Sequence, residues 1–492
     1  MFKSSSDFIA HLKQLSKDSW LLGPDNQRLA AQAKEQFHAL IQSYRDNQPP
    51  IVLLATSDSA EFLAGFVAAC AANCPTFLGN PHWSAPEWQQ VCDQVQPDII
   101  LGKLAGELER EHGQYPGQKL QAKEKLKAPT PGQIMIPTGG SSGQVRFAIH
   151  TWQTLTASVR GFQQYFETDV INSCCTLPLY HVSGLMQLMR SLLTGGKLAI
   201  VPLKQLDFQR PEFDPADFFI SLVPTQLQRL LQNPEAIVWL SQFRTVLLGG
   251  APAWDDLLAT VRQHQIRLAP TYGMTETASQ VATLKPQDFL AGKLGCGQAL
   301  PHAKIWIVDS QSQPVEPGHL GAIVIQSAAV AAGYYGELGG EAQEFQAQRF
   351  QTDDLGYLDT EGYLHIVGRA SRKIITGGEN VFPDEVEAVI RATGLVADVC
   401  VVGLPDRHWG EVVTAVYVSE NASDSSSSSA LNSSHPNLAH PNLAHPHLAQ
   451  LQQAIAPSLS KFKQPKRWIA VEKLPRNPQG KINYGWLKAL GD

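Results

Sequence analysis

The amino-acid sequence predicts an α/β protein with a large N-terminal domain, residues 1–368, and a smaller α+β C-terminal domain, residues 369–492. Apolar runs of strand length, several of them separated by stretches long enough for helices, predict the α/β pattern. They are IVLLA at 51–55, KLAIVPL at 197–203, TVLLGG at 245–250 and KIWIVD at 304–309. From Gly321 the run GAIVIQSAAVAAGYY predicts a β-rich section, and a change of pattern near Gly368 to Ser371 predicts the domain boundary.

The composition supports a folded body and excludes several classes of protein. The chain has 492 residues, of which 43% are hydrophobic and only 17% charged, whereas charged residues make up roughly 25% of an average chain. A formal charge of -6 gives no overall attraction for a phosphate backbone, so nucleic acid is not expected as a partner. The longest apolar stretch, Phe62 to Ala72, is too short to cross a bilayer.

The cellular location is predicted from the N-terminus and the cysteines. The first residues, MFKSSSDFIAHLKQ, contain no long apolar segment followed by a cleavage site, so they do not resemble an export signal. Seven cysteines are an odd number in mostly apolar contexts, which favours reduced, packed thiols over disulfides or a zinc site. A cytoplasmic protein is expected.

Residues 420–450 differ from the rest of the chain. A serine tract is followed by a five-residue repeat that begins at His435, His440 and His445, and such a composition cannot bury a core. The histidines could bind a metal, but the repeated prolines favour a flexible insertion between a strand that ends near Val418 and a helix that begins near Leu448.

The most informative motif is IPTGGSSGQVRF at 136–147, where an apolar run meets glycines and hydroxyl side chains and then a cation. Glycines let the backbone approach an anion, and hydroxyl and N–H groups donate to phosphate oxygens. The motif lacks the Gly-Lys-Ser/Thr ending of a Walker loop. It predicts a different phosphate-binding loop, with an ordinary glycine-rich turn as the alternative if it is considered alone.

Six further motifs follow in order: PLYHVSG (178–184), LLGGAP (247–252), PTYGMTETAS (270–279), QTDDLGYLD (351–359), GRASRKIITGGENVFPDEVE (368–387) and LPRNPQGKI (474–482). With the loop, they resemble the adenylate-forming superfamily of acyl-CoA synthetases. The resemblance implies an ATP-, Mg²⁺- and CoA-dependent ligase that makes an acyl adenylate and then a thioester.

The resemblance also implies roles for individual residues. Glu276 matches the metal-binding glutamate, Thr275 the α-phosphate donor and Tyr272 the residue that stacks on adenine; Asp354 and Arg369 match ribose contacts. The other nucleotide-binding positions lie in three glycine-containing segments: Thr138, Gly139, Gly140, Ser141, Ser142 and Gly143 in the first, Gly249, Gly250 and Ala251 in the second, and Gly273 in the third.

In the C-terminal domain, Lys481 resembles the catalytic lysine that bridges the carboxylate and the phosphate during adenylation. The resemblance implies that this domain then rotates, removes Lys481 from the site, and lines a CoA channel with Gly377 and Gly378. The chain departs from the family pattern at two places. Arg146 supplies the loop cation in Val145-Arg146-Phe147 where many members have Pro-Lys-Gly, and Ser371 occupies a hinge position that is usually Asp or Lys.

The acid substrate is predicted from MTETASQV (274–281) together with PLYHVSGLMQLMRSLLTGG (178–196). These strings look most like those of superfamily members that activate 2-succinylbenzoate, an aromatic dicarboxylic acid of menaquinone and phylloquinone biosynthesis. One carboxylate reacts, so the second needs polar partners. Ser279, Gln280 and Arg190 are the candidates, with His181 at the pocket wall.

Several alternatives remain open at this point. Arg190 could be a structural cation paired with an acid elsewhere in the fold. The enzyme could activate another acid, such as a benzoate or a cinnamate, or could load a carrier protein. A decayed ligase that only binds nucleotide is disfavoured by Glu276, Asp354 and Lys481. The oligomeric state is not predicted.

Overall fold

A computed structural model of the chain describes residues 20–23, 26–102, 128–139, 145–207, 210–336, 345–346, 348–377, 379–419, 448–476 and 482–491. Within these ranges no helix is long and apolar enough to cross a membrane. The predicted insertion at 420–450 lies almost wholly outside the described residues, as do Gly140 to Gly143, Gly378 and Lys481.

The first section of the chain forms a five-stranded sheet with helices packed on it. Its elements are β1 Leu21–Leu22, α1 Asn26–Gln42, β2 Val52–Leu54, α2 Ser59–Ala71, β3 Thr76–Leu78, α3 Ala85–Val95, β4 Ile99–Leu101, β5 Gln133–Gly139 and β6 Val145–Thr151. The strand order is β4-β2-β3-β5-β6, with the last pair antiparallel, and β1 joins the next sheet. The Asp58 side chain caps α2 by accepting from the Glu61 N–H at 2.9 Å, as polar N-cap residues commonly do.

The second section is an eight-stranded sheet in the order β1-β8-β7-β9-β10-β11-β12-β13, parallel from β1 to β11. Its further elements are α4 Trp152–Tyr165, β7 Asn172–Cys175, α5 Val182–Thr194, β8 Leu198–Ile200, β9 Phe218–Leu222, α6 Pro224–Leu231, α7 Pro234–Gln242, β10 Thr245–Leu248, α8 Asp255–Gln263, β11 Leu268–Met274, β12 Ser279–Thr283, α9 Pro286–Leu290 and β13 Gln298–Ala299. Fully buried parallel strands read as continuous apolar runs, which is why TVLL at 245–248 is buried throughout.

The third section is an antiparallel sheet, in agreement with the predicted β-rich section. Its strands are β14 Ala303–Val308, β15 Gly321–Ser327, β16 Phe345–Gln346, β17 Arg349–Leu358 and β18 Leu364–Arg369. They are ordered β14-β15-β17-β16, with β18 also paired to β17. Only the first part of GAIVIQSAAVAAGYY is a strand. The rest is turn, and Tyr334 forms an isolated antiparallel bridge with Ala148 of β6.

The last section has its own sheet and its own buried core. Its elements are β19 Ile374–Thr376, β20 Glu379–Val381, α10 Pro383–Ala392, β21 Val396–Asp406, β22 Gly410–Ser419, α11 Leu448–Ile455, β23 Arg467–Ala470 and α12 Tyr484–Lys488. β22 ends and α11 begins at the positions predicted to flank the insertion. The side chains of α10, β21, β22 and α11 share one hydrophobic cluster. All seven cysteines are free thiols, as expected.

The strands predicted from apolar runs are present; three are shorter than their runs, and β14 has the length of its run but begins and ends one residue earlier. The observed fold is the predicted α/β architecture with a large N-terminal part and a smaller C-terminal part. The exact boundary at residue 368 stays a prediction.

Candidate active site

The turn after β11 forms the centre of the site. A short 3-10 helix, Thr275–Thr277, follows the strand, and the backbone then reverses through left-handed Ala278 (φ 50°) and Ser279 (φ 86°) into β12. A Cβ atom at Gly273 would lie 2.1 Å from the carbonyl oxygen of Ser279, so the reversal requires glycine there. It places Thr275 and Glu276 at the carboxyl edge of the parallel strands, where α/β sheets bind their ligands.

Glu276 is buried and held from two sides. The Tyr334 hydroxyl donates to Glu276 Oε1 at 2.7 Å, and the Ala331 N–H donates to the Glu276 backbone carbonyl at 2.8 Å. The Arg146 guanidinium lies 4.1 Å from the centroid of the Tyr334 ring, a cation–π distance. Arg146 and Glu276, which were predicted from separate motifs, thus contact the same tyrosine.

Thr275 is fixed through its backbone by a buried histidine. His150 Nε2 lies 2.7 Å from the Thr275 carbonyl oxygen, and its Nδ1 lies 3.1 Å from the hydroxyl of Thr154. Because a carbonyl oxygen only accepts, Nε2 carries the hydrogen. Burial lowers the pKa of His150 to about 4, so the ring is neutral at neutral pH.

Asp354 joins two other predicted residues. The Tyr272 hydroxyl donates to Asp354 Oδ2 at 2.7 Å, and Arg369 Nε donates to Oδ1 at 3.1 Å. Burial and, after it, the negative charge of Asp354 raise the pKa of Tyr272. Asp354 is almost fully buried, whereas the Arg369 side chain is 55% exposed. The predicted nucleotide contacts Tyr272, Asp354 and Arg369 are therefore one hydrogen-bonded group.

The glycines after β10 lie beside this group because β10 and β11 are adjacent parallel strands. Gly249 packs against Thr271, whose Oγ1 would be 2.5 Å from a Cβ atom at that position, and Gly250 has a left-handed φ of 84°. A side chain at either residue is disfavoured. Ala251 follows in an exposed position.

Only the two ends of the predicted phosphate loop lie among the described residues. Thr138 and Gly139 end β5, and Val145 and Arg146 begin β6, which pairs with β5 in antiparallel register. Gly140, Ser141, Ser142 and Gly143 lie outside the described residues.

Three of the four predicted acid-binding residues also meet. Arg190 of α5 is 2% exposed and donates from Nη2 to Gln280 Oε1 at 3.1 Å and to Ser279 Oγ at 3.4 Å. Its guanidinium lies 4.2 Å from the centroid of the Phe162 ring. Burial lowers the Arg190 pKa to about 9, which leaves it positively charged at neutral pH. No carboxylate of the described residues pairs with it, so the alternative of a structural ion pair is not supported.

His181 precedes the first turn of α5, with its ring centroid 4.7 Å from that of Tyr180. It therefore begins the same helix that carries Arg190. Its predicted place at the pocket wall stays a prediction.

The start of the C-terminal part is tied to both sides of the predicted boundary. The Ser371 N–H donates to Asp353 Oδ1 at 3.0 Å, and its hydroxyl also bonds the Asp353 carboxylate. The next residue, Arg372, pairs with Asp384 at 2.7 Å and Glu387 at 3.1 Å, both on α10.

Gly377 (φ 58°) donates its N–H to the Trp409 carbonyl at 2.9 Å, with the Trp409 ring packed over it.

The site fits a magnesium ion that arrives with a nucleotide. Among the described residues no group of three or more His, Cys, Asp or Glu side chains could hold a metal. Glu276 offers one carboxylate oxygen, Oε2, that accepts no hydrogen bond from the described part of the chain. One carboxylate combined with phosphates and water is a usual ligand set for Mg²⁺.

Several residues of the site were not predicted from the sequence. Tyr334 lies in a run interpreted as strand, and His150 and Phe162 follow the phosphate loop without any motif. His302, whose ring packs on Gly161, has no signal except a histidine after proline. Only the three-dimensional packing identifies them.

The chain matches known protein families over most of its length. The family model of the AMP-binding enzyme matches residues 38–335, and that of the AMP-binding enzyme C-terminal domain matches residues 385–481. A 2-succinylbenzoate–CoA ligase from Listeria monocytogenes is 33% identical over 366 residues, 71% of this chain and 68% of the relative. One from Enterococcus faecalis is 34% identical over 352 residues, 70% and 67% of the two chains.

Solved structures agree with these matches. The o-succinylbenzoate CoA synthetase (MenE) from Bacillus subtilis, in complex with the acyl-adenylate intermediate OSB-AMP, superposes with a TM-score of 0.78 at 25% identity and covers 98% of this chain and 97% of its own. The same enzyme with ATP and magnesium gives 0.75 at 25% identity, covering 96% and 98%. ATP-bound MatB from Rhodopseudomonas palustris, at 23% identity and a TM-score of 0.75 over 99% of both chains, shares the fold.

The fold and the site define an adenylate-forming enzyme. The chain belongs to the AMP-binding enzyme family, as the motif resemblance predicted.

Proposed function

We propose that this enzyme joins 2-succinylbenzoate to CoA at the expense of ATP, through an acyl-adenylate intermediate, in menaquinone or phylloquinone biosynthesis. The relatives that are named for this activity match this chain over about two thirds of their own length. One solved relative holds the adenylate of this acid.

In the first half-reaction, a carboxylate oxygen of the acid attacks the α-phosphorus of ATP. A new P–O bond forms, the bond to the β-phosphate breaks, and pyrophosphate leaves. Thr275 would donate to the α-phosphate, Arg146 and the loop Thr138 to Gly143 would bind the phosphates, and Glu276 would hold the Mg²⁺ that arrives with ATP and supplies positive charge there. Positive charge placed where negative charge develops stabilises such a transition state.

The adenosine is held at the carboxyl edge of the parallel strands. Tyr272 stacks on adenine, with Gly249, Gly250 and Ala251 on the other side and Gly273 in the adjacent turn. Asp354 accepts hydrogen bonds from the ribose hydroxyls, and Arg369 holds Asp354 in place through its 3.1 Å contact.

In the second half-reaction, the CoA sulfur attacks the acyl carbon, the C–O bond to the phosphate breaks, and AMP leaves while the thiol proton is lost to solvent. Lys481 serves only the first step. Rotation about Ser371 then brings the Gly377–Gly378 loop to the thiol channel. The contacts of Ser371 to Asp353 and of Arg372 to α10 support a pivot between these two residues, because each is bonded to a different domain.

The single observation that carries the choice of acid is the buried Arg190. A guanidinium that is 2% exposed, bonded to neutral Ser279 and Gln280, and without a carboxylate among the described residues retains an uncompensated charge. Buried charges are normally paired. An acid whose second carboxylate reaches Arg190 supplies the missing partner, and we assign His181 to the wall of the same pocket.

We further propose a cytoplasmic location. The reaction requires ATP and CoA, and all seven cysteines are free, which suits a reducing compartment.

The test is acid-dependent exchange of pyrophosphate into ATP, measured over a panel that contains 2-succinylbenzoate, benzoate, cinnamate and medium-chain fatty acids. CoA is then added and the thioester is detected. Exchange and thioester formation should be greatest with 2-succinylbenzoate. Robust exchange with benzoate or a fatty acid but none with 2-succinylbenzoate would overturn the assignment and favour another acyl- or aryl-CoA synthetase.

A further inference from the structure

Three buried nitrogen atoms near the predicted acid pocket have no hydrogen-bond partner among the described residues. They are Nε of Arg190 and both ring nitrogens of His302. Almost all buried polar groups in native proteins are hydrogen-bonded, so each exception calls for a ligand or an ordered water. The proposed mechanism uses Arg190 but gives His302 no role.

The two side chains lie over consecutive residues of α4. The His302 ring packs on Gly161, where a Cβ atom would be only 1.8 Å from Nδ1. The Arg190 guanidinium covers the next residue, Phe162, at 4.2 Å. Glycine at 161 therefore leaves the space that the imidazole occupies, one residue along the helix from the ring that the guanidinium covers.

The turn that carries His302 is fixed to the strand that carries Ser279 and Gln280. The Leu300 N–H donates to the Val281 carbonyl at 2.8 Å, and the Ala303 N–H donates to the Leu300 carbonyl at 2.9 Å. β12 also presents Ser279 and Gln280 to Arg190. Arg190 therefore reaches the region beside β12 from α5, and His302 reaches it from the turn before β14.

The charge of this region calls for an anion. Burial, and after it the positive charge of Arg190, lower the pKa of His302 to about 4. At neutral pH the imidazole is uncharged and has one N–H donor. A fixed positive charge beside an unused neutral donor suits a carboxylate, which accepts several hydrogen bonds at once.

We propose that His302 is a specificity-determining residue, which donates a hydrogen bond to the carboxylate of the acid that does not react, while Arg190 pairs with the same group. This inference rests on the proposed function. It adds a contact from a residue that lies outside every motif of the sequence.

The test compares two acids in His302→Phe, which keeps a ring against Gly161 and removes the donor. The acids are 2-succinylbenzoate and 4-oxo-4-phenylbutanoate, which keeps the succinyl carboxylate and lacks the ring carboxylate. We expect kcat/KM for 2-succinylbenzoate to fall roughly 10- to 100-fold, the range for a hydrogen bond to a charged group. The value for the second acid should change less than about threefold.

His319→Phe is the matched control, because it removes an imidazole from an exposed loop, where Nδ1 lies 3.2 Å from the Glu316 carbonyl oxygen. It should leave both values at the wild-type level. If His302→Phe is insoluble, the same ratio is measured with His302→Leu. The ratio is internal to each variant, so a general loss of active protein cancels.

Equal losses for the two acids, or no loss for either, would overturn the role of His302 while the wild-type enzyme still ligates 2-succinylbenzoate. Failure of the wild-type enzyme to use 2-succinylbenzoate would instead overturn the proposed function, and this inference with it.

Discussion

The hydroxyl of Tyr334 donates a hydrogen bond to Oε1 of Glu276, with 2.7 Å between the two oxygens. Both side chains are almost fully buried, at 5% and 7% exposure. The same ring receives the Arg146 guanidinium on its face. A residue outside the predicted site therefore orients the carboxylate that we assign to Mg²⁺ and contacts the cation that we assign to the phosphates.

Tyr334→Phe should weaken the response to magnesium while it keeps the ring under Arg146. Loss of one hydrogen bond, worth about 1 kcal/mol, predicts a roughly fivefold higher Mg²⁺ concentration for half-maximal pyrophosphate exchange. Calorimetric titration of ATP with and without Mg²⁺ should show a smaller gain in affinity from the metal. Tyr335→Phe is the control, and an equal shift in both variants would contradict a specific role for Tyr334.

Gly161→Ala should reproduce the defect of His302→Phe. Alanine is normally more favourable than glycine in a helix by about 1 kcal/mol. A loss of acid selectivity would therefore have to come from the added methyl group, which would lie 1.8 Å from His302 Nδ1. Selectivity for 2-succinylbenzoate over 4-oxo-4-phenylbutanoate is the measured quantity. In a His302→Ala background the clash is absent, and Gly161→Ala should then have no further effect. Additive losses would refute the contact.

Acid should destabilise the protein through two buried imidazoles. His150 and His302 have a pKa of about 4 in the folded chain and 6.5 as the ordinary value. Between these two pH values the unfolded state therefore binds more protons than the folded state. The free energy of unfolding should be greatest above about pH 6.5 and should fall as the pH drops towards 4. Urea denaturation at several pH values measures this slope. His302→Gln should make it shallower, and an unchanged slope would argue against a neutral buried His302.

Lys481→Ala should separate the two half-reactions. Adenylate formation should slow by at least roughly 100-fold, the scale for loss of one transition-state electrostatic contact. Thioester formation from synthetic 2-succinylbenzoyl adenylate should stay near the wild-type rate, because Lys481 has by then left the site. A bulky residue at Gly377 should give the opposite pattern. Equal loss of both steps in Lys481→Ala would rule out the rotation.

The sequence predicts those site residues best that lie in short motifs required by the chemistry. Tyr272, Glu276, Asp354 and Arg190 were predicted from short strings, and the structure brings them into three hydrogen-bonded groups. The strands at 52–54 and 245–248 were predicted because they are short, buried and apolar.

The remaining features depend on contacts between distant segments. Tyr334 follows β15 in an apolar run that resembles strand, but Ala331 and Tyr334 are used to hold Glu276 and to bridge β6. His302 is 112 residues from Arg190 in the sequence, and nothing in its local pattern indicates that Gly161 makes room for it. Packing of this kind has no signature in one sequence.

A rapid-quench experiment with labelled ATP, 2-succinylbenzoate and stoichiometric enzyme, in the absence of CoA, measures the acyl-adenylate intermediate directly. We predict a burst of enzyme-bound 2-succinylbenzoyl adenylate that approaches one per active site, with an equal amount of pyrophosphate, and its complete conversion to thioester and AMP when CoA is added. Absence of the adenylate, or release of ADP and phosphate in place of AMP and pyrophosphate, would contradict the account.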